Sequence, residues 1–332
     1  LWVMGDQSAM REANEKEIQD MQTLLRECLS SGAIGLSTSF VDVDETLAPV
    51  PSRYADQREL NALCDVLSES NKMLQVVHEF FDADVTIARV DQLADISLRH
   101  KIPTTLSPLF VNTENDPGVK RVMERVKEQF KRGARVWPQV QTRPIDISFC
   151  FEVPSLLFIR LPSWYKIMRF GSHSEIMEEF KDENSRAKLV KEAAMLGPFW
   201  NSITLRQVNS EENKEFLGMS LDEIATKRET TPVDAMIDLS LEENLQAHFL
   251  AENMGHTDNE MIGALMSDPH VHIGASDGGA HILSFSTYGD TGYLFSQFVR
   301  NSQAITLEDA VKKITLDTAS IWGMKERGCL KK

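Results

Sequence analysis

Apolar positions recur along the chain with two periods, and the two alternate. Glu15 to Ser31 places Ile18, Met21, Leu24, Leu25 and Cys28 on one helical face and ends at Gly32, a residue suited to a helix C-cap. Ala33 to Ser39 then reads as a strand, Gln57 to Ser70 as a helix and Met73 to His78 as a strand. A helix through Leu93, Ile96 and Leu98 follows, then a strand Pro103 to Pro108, a helix Asp116 to Lys131 and a strand Arg135 to Val140. The repeat of about 30 to 40 residues is the mark of parallel βα units.

From Ile145 to about Thr231 the rhythm breaks. Phe149 to Phe151, Leu156 to Phe158 and Leu161 to Trp164 are apolar and aromatic, and a charged helical stretch runs from Glu175 to Ala194. An excursion of this length between βα units is expected to form a lid or a substrate-facing insertion, with most of its aromatics packed against the main body. The alternation then resumes with a helix Val233 to Leu241, started by Thr231 and Pro232, and a strand Gln246 to Ala251. A short helix Glu260 to Met266, a strand Val271 to Ala275 and helices Gly292 to Asn301 and Leu307 to Ile321 complete the chain. Six strand candidates of the main sheet result.

Composition narrows the function classes. A 332-residue chain with 42% hydrophobic and 26% charged residues is an ordinary globular one. Its formal net charge of −15 argues against nucleic acid as a partner, because phosphate binding needs a basic surface. No apolar run reaches the roughly 20 residues that span a bilayer. Cys28, Cys64, Cys150 and Cys329 are scattered without a CxxC pair, which suits reduced thiols and a cytoplasmic setting. The sequence holds no phosphate-binding glycine pattern. Three acids in one turn, Asp42, Asp44 and Glu45, read as solvated, with a bound cation as the minor alternative.

Chemistry gathers at the ends of two strands. The run Val271 to Ala275 leads into Ser276-Asp277-Gly278-Gly279, so Asp277 sits at the carboxyl end of a strand beside two residues that let the backbone turn sharply. His78 ends its own strand in the same manner. In a barrel of parallel strands such ends converge on one face, where catalytic groups are placed. Arg143 ends its strand in Gln-Thr-Arg-Pro and could take a carboxylate or serve as a loop contact. His256 follows the 246–251 strand and is either a ligand-facing or a structural imidazole. His270 and His272 start their strand and therefore belong to the barrel floor.

The blocks Ile273-Gly-Ala-Ser-Asp-Gly-Gly-Ala-His281, Tyr288-Gly-Asp290, Phe298-Val-Arg300, Thr306 to Val311, Thr315 to Ala319 and Glu326-Arg-Gly328, in this order, resemble the C-terminal part of the amidohydrolase superfamily. The branch they resemble holds the N-acyl-D-amino-acid deacylases, and Gly32-Ala-Ile-Gly-Leu-Ser-Thr38 is similar to a strand of the same branch. The resemblance implies an α/β fold, an incomplete TIM-type (β/α)8 barrel across residues 1–332 with a largely helical insertion at about 145–231. It implies that the chain is an internal part of a longer protein, with the family's His-X-His strand before Leu1 and sandwich strands after the last residue.

The implied activity is hydrolysis of a non-peptide carbon–nitrogen bond in a small-molecule amide, an N-acyl-D-amino acid first, by water activated on Zn2+ or another divalent metal. Asp277 matches the metal ligand and proton shuttle of the eighth strand, and His78 the fifth-strand ligand. The sixth-strand position carries Leu106-Ser107-Pro108 where many deacylases have Ser-His. Arg143, His281, Tyr288 and His256 are the candidate substrate contacts. Other amidohydrolase chemistry, cyclic amide opening or deamination, and a metal-free barrel that only binds a small molecule are the alternatives.

Overall fold

The structure is a computed structural model that describes residues 1–44, 46–274 and 288–331. Helix α1 (Glu15–Ser30) starts on Asn14, whose side chain accepts from the Glu17 N–H while Glu17 reaches back to the Asn14 N–H. Strand β1 (Gly35–Ser39) follows, then α2 (Gln57–Glu69), β2 (Met73–Val77), α3 (Ala83–His100), β3 (Thr104–Ser107), α4 (Pro117–Lys131) and β4 (Val136–Val140). Asp56, Asp82 and Asp116 cap the three later helices through carboxylates that accept first-turn N–H groups, so each helix begins where an acid stands ahead of an apolar repeat. These are the elements the periodicity predicts, shifted by a residue or two at their ends.

After β4 come β5 (Ile147–Phe149), α5 (Pro162–Phe170), α6 (His173–Lys181), α7 (Glu183–Ala193), β6 (Thr204–Gln207), α8 (Leu221–Arg228), α9 (Pro232–Glu242) and β7 (His248–Ala251). The chain closes with α10 (Asn259–Ser267), β8 (His272–Ile273), α11 (Asp290–Tyr293), which runs on as a wider helix to Asn301, and α12 (Leu307–Lys312) with its own wider continuation.

Strands β1, β2, β3, β4 and β8 form one parallel sheet in that order. Register is simple: Gly35 faces Met73, Leu74 faces Thr104, Thr104 faces Val136 and Gln139 faces His272. Gly35 is required where it stands, because a Cβ there would lie 2.4 Å from the Met73 carbonyl oxygen. Among the described residues this sheet is not a closed barrel. Its outward side chains, Leu74, Val76, Leu106, Val136 and Val140, share one core with Val66, Leu67, Val90, Leu93 and Val126 of the covering helices. The alternate positions mix Met73, Val77 and Trp137 with polar groups: Gln139 Nε2 donates to Thr105 Oγ1 at 3.1 Å, and Ser37 Oγ donates to Gln75. One face of the sheet is therefore wholly given to the core, while the other carries most of its hydrogen-bonding side chains.

The strand predicted at 246–251 exists, but it does not belong to this sheet. β7 pairs antiparallel with β5 and β6 in a separate three-stranded sheet. The reason is packing. Phe249 and Ala251 enter a second core with Phe149, Phe151, Phe158, Trp164, Phe180 and Trp200, in which rings stack at centroid distances such as 4.9 Å for Phe158 and Trp164. The parallel sheet thus has five described strands rather than six. No helix among the described residues is long and apolar enough to cross a membrane.

Candidate active site

The carboxyl ends of the parallel strands lie on one side and are knitted together by backbone bonds. The His78 N–H donates to the Ser107 carbonyl at 3.2 Å, the Leu109 N–H to Gln139 at 2.6 Å and the Gly274 N–H to Val140 at 2.9 Å. His78 follows β2 directly and is wholly buried. Its Nε2 lies 3.2 Å from the Pro108 carbonyl oxygen, a pure acceptor, so Nε2 carries the proton and donates. That leaves Nδ1 with its lone pair, and among the described residues Nδ1 has no hydrogen-bond partner. Burial pushes the ring's pKa down from 6.5 to about 4, so it is neutral near pH 7. A neutral imidazole with a bare nitrogen at a strand end is the state a metal ion binds.

His256 looks similar and is wired differently. It too is wholly buried, and burial lowers its pKa to about 4. The Val111 N–H donates to Nδ1 at 3.1 Å, and Nε2 lies 2.9 Å from the Gln141 carbonyl. The His256 N–H in turn donates to the Val111 carbonyl at 2.8 Å. Both ring nitrogens are engaged by backbone, so this candidate substrate contact serves to tie three loops. Gly255, with φ of +84°, makes the turn, and a Cβ there would lie 2.7 Å from the Phe110 ring that stacks on the imidazole.

Arg143 is also turned toward protein. Nη1 donates to the Tyr288 carbonyl at 2.6 Å, and Nη2 pairs with Asp146, whose other oxygen accepts the Asn253 N–H at 3.0 Å. Beside it, Thr142 Oγ1 donates to the Asp290 carbonyl at 3.0 Å. Arg143 and Tyr288 are therefore brought together, through a main-chain oxygen of Tyr288 rather than its hydroxyl. Asp277 and His281 lie outside the described residues.

The floor histidines stand apart from this end. His272 is buried, accepts from Trp322 Nε1 at 3.2 Å and is held near pKa 4 by burial, while His270 pairs with Asp268 at 2.9 Å. Among the described residues no group of three or more His, Cys, Asp or Glu could hold a metal ion. At the sixth-strand position Ser107 and Pro108 offer the Pro108 carbonyl to His78 and no imidazole. Of the described residues, His78 alone has both the place and the free nitrogen for one ligand of a metal.

No family model matches the chain. Uncharacterized proteins of Mycobacterium tuberculosis and Mycobacterium bovis are each 24% identical over 347 residues, which cover 93% of this chain and 53% of theirs. The chain thus spans about half the length of the curated relatives it matches. Among solved structures, an N-acyl-D-glutamate deacylase from Bordetella bronchiseptica, complexed with zinc and a phosphonate mimic of the tetrahedral intermediate, matches with a TM-score of 0.59. Identity is 18%, over 99% of this chain and 57% of that one. A D-aminoacylase reported to define a novel subset of amidohydrolases matches with a TM-score of 0.56 and 20% identity, over 98% of this chain and 56% of that one. The chain has the fold of the D-aminoacylase-like amidohydrolases.

Proposed function

We propose that the chain carries the catalytic end of a metal-dependent hydrolase that cleaves an amide other than a peptide bond, with an N-acyl-D-amino acid as substrate. The observation that carries the reading is His78: a neutral, buried imidazole at the carboxyl end of a parallel strand, oriented by Pro108, with no partner for Nδ1 among the described residues. His78 and, from the sequence motif, Asp277 would hold a divalent metal, zinc first, and that ion supplies a water acidified toward neutral pH.

His78 donates through Nε2 to fix its own tautomer and aim Nδ1. Asp277 would supply the carboxylate that holds a proton during the reaction and gives it up to the leaving amine. Arg143 holds the main chain at Tyr288, the first described residue after Asp277 and His281 in the sequence. Four cysteines without a disulfide suit the reducing, cytoplasmic setting we propose for this chemistry.

The test is zinc content and turnover of N-acetyl amino acids by the full-length protein and its His78→Ala variant, each checked for a cooperative unfolding transition. We expect the variant to lose at least about a hundredfold in metal affinity and turnover, the scale at which even outer-shell partners act. Normal zinc content and normal turnover in His78→Ala would overturn the assignment. The Ser107-Pro108 position favours one rival, a barrel that binds small molecules without reacting; stoichiometric zinc with hydrolysis of an acylated substrate eliminates it.

A further inference from the structure

The loops that deliver His78 and Pro108 continue, within two residues, into the walls of a cavity of about 280 Å³. Phe80, Phe81, Leu109, Phe110, Val119 and Val122 supply its apolar lining, and Thr86, Asn112, Thr113 and Asp116 add polar groups, the Asp116 carboxylate being taken up by N–H groups at the start of α4. Three phenyl rings form its aromatic wall: centroids are 4.4 Å apart for Phe80 and Phe81, 5.3 Å for Phe80 and Phe110, and 6.3 Å for Phe81 and Phe110. Phe110 is fixed from behind by the ring of His256. Phe81, in contrast, is 55% exposed.

Over Phe81 stands Arg160, its guanidinium carbon 4.4 Å from the ring centroid. Arg160 comes from the aromatic-cored unit, so the two units meet here. Among the described residues no carboxylate forms an ion pair with Arg160. In a chain of net charge −15, where 50 acidic residues face 35 Lys and Arg, a guanidinium with no carboxylate partner beside an aromatic cavity is an anion-attracting feature in a repelling field.

Size decides what fits. A cavity of about 280 Å³ has room for a phenyl or branched aliphatic side chain. In an amino acid the α-carboxylate and the side chain spring from the same carbon, whereas the acyl group lies across the amide. A cation 4.4 Å from a wall ring matches the first pair of groups and not the second.

We infer that the Phe80–Phe81–Phe110 cavity is the subsite for the amino-acid side chain of the substrate, selecting an aromatic or large aliphatic group, and that Arg160 pairs with the substrate's α-carboxylate. The inference rests on the amide-hydrolase reading, and its test is made independent of hydrolysis. Binding of 3-phenyllactate, lactate and 3-phenyllactamide to the full-length protein is measured by calorimetry. None of the three carries an acylated amine, and the hydroxyl that could touch a metal is common to all.

The subsite predicts that phenyllactate binds roughly ten- to a hundred-fold tighter than lactate, the range over which an apolar pocket discriminates. It predicts that phenyllactamide, lacking the charge, loses most of that advantage. Phe81→Ala should remove the preference for the phenyl group. Arg160→Ala should remove the preference for the carboxylate, with Arg160→Lys restoring it in part. Both side chains are exposed, so neither change threatens the fold.

Equal binding of lactate and phenyllactate, or no binding of either, overturns the subsite whatever the enzyme hydrolyses. Selective binding that Phe81→Ala and Arg160→Ala leave intact overturns it as well. Selective binding that both variants abolish, in a protein that hydrolyses no acylated amino acid, upholds the subsite and rejects the amide-hydrolase reading.

Discussion

The end of β2 and the turn after β7 each bury a histidine completely, each with a pKa pushed down to about 4 and each with Nε2 donating to a main-chain carbonyl. They part at one atom. Nδ1 of His256 receives the Val111 N–H, while Nδ1 of His78 receives nothing from the described residues. Burial and a displaced pKa thus mark neither residue as functional; an engaged or unengaged lone pair separates them. The same sequence pattern, a histidine after an apolar run, produces a loop fastener in one region and a ligand candidate in the other.

The largest effect that would break this contrast is on stability. His256→Ala would leave the buried Val111 N–H and the Gln141 carbonyl without partners and remove the ring behind Phe110. We expect a loss of about 3 kcal/mol or more in urea unfolding, with zinc affinity unchanged in the molecules that remain folded. His78→Ala should lose metal binding altogether and cost less stability than His256→Ala, because only the Pro108 carbonyl loses its partner. Similar destabilisation in both variants would erase the distinction.

Acid is the next probe. For His256 and for His272 the folded pKa lies near 4 and the unfolded one near 6.5, so the unfolded chain binds protons first as pH falls. The stability from keeping these rings neutral is present above about pH 6.5 and is lost progressively down to about pH 4. A difference of about 2.5 pH units at about 1.4 kcal/mol each makes the loss roughly 3 kcal/mol per histidine. His272→Gln, by removing one such group, should flatten the slope of unfolding free energy against pH between 6.5 and 4. An unchanged slope would mean that the ring is protonated in the folded state.

Much of the parallel-sheet unit was legible because its signals are local. A 3.6-residue apolar repeat and a strand recurring every 30 to 40 residues predicted α1, α2, α4 and β1 to β4 to within a residue or two, and placed α3 through Leu93, Ile96 and Leu98. The placement of His78 at a strand end was legible for the same reason. The 246–251 run was misplaced because an apolar stretch of six residues does not reveal its partners. Those are β5 and β6, of three and four residues, too short to show a period. The role of His256 was hidden for a related reason: Val111 and Gln141 lie 145 and 115 residues away in the chain. What the sequence displays is which groups could act; which nitrogen stays free is decided by contacts across the fold.

Arg143 offers the finest test of that distinction. By sequence it could bind a substrate carboxylate, yet its guanidinium spans Asp146 and the Tyr288 carbonyl, and Asp146 also receives the Asn253 N–H. A side chain about a quarter exposed in an ion pair contributes modestly, so Arg143→Ala should cost only about 1 kcal/mol. The informative reading is kinetic. If Arg143 only ties loops, Arg143→Lys keeps the charge, loses the two-pronged geometry and changes kcat a few-fold through loop position while KM stays put. If it grips the substrate, KM rises at least tenfold and kcat holds. The first pattern, beside a raised KM in Arg160→Ala, would assign the carboxylate to Arg160 and leave Arg143 as the tie between three loops.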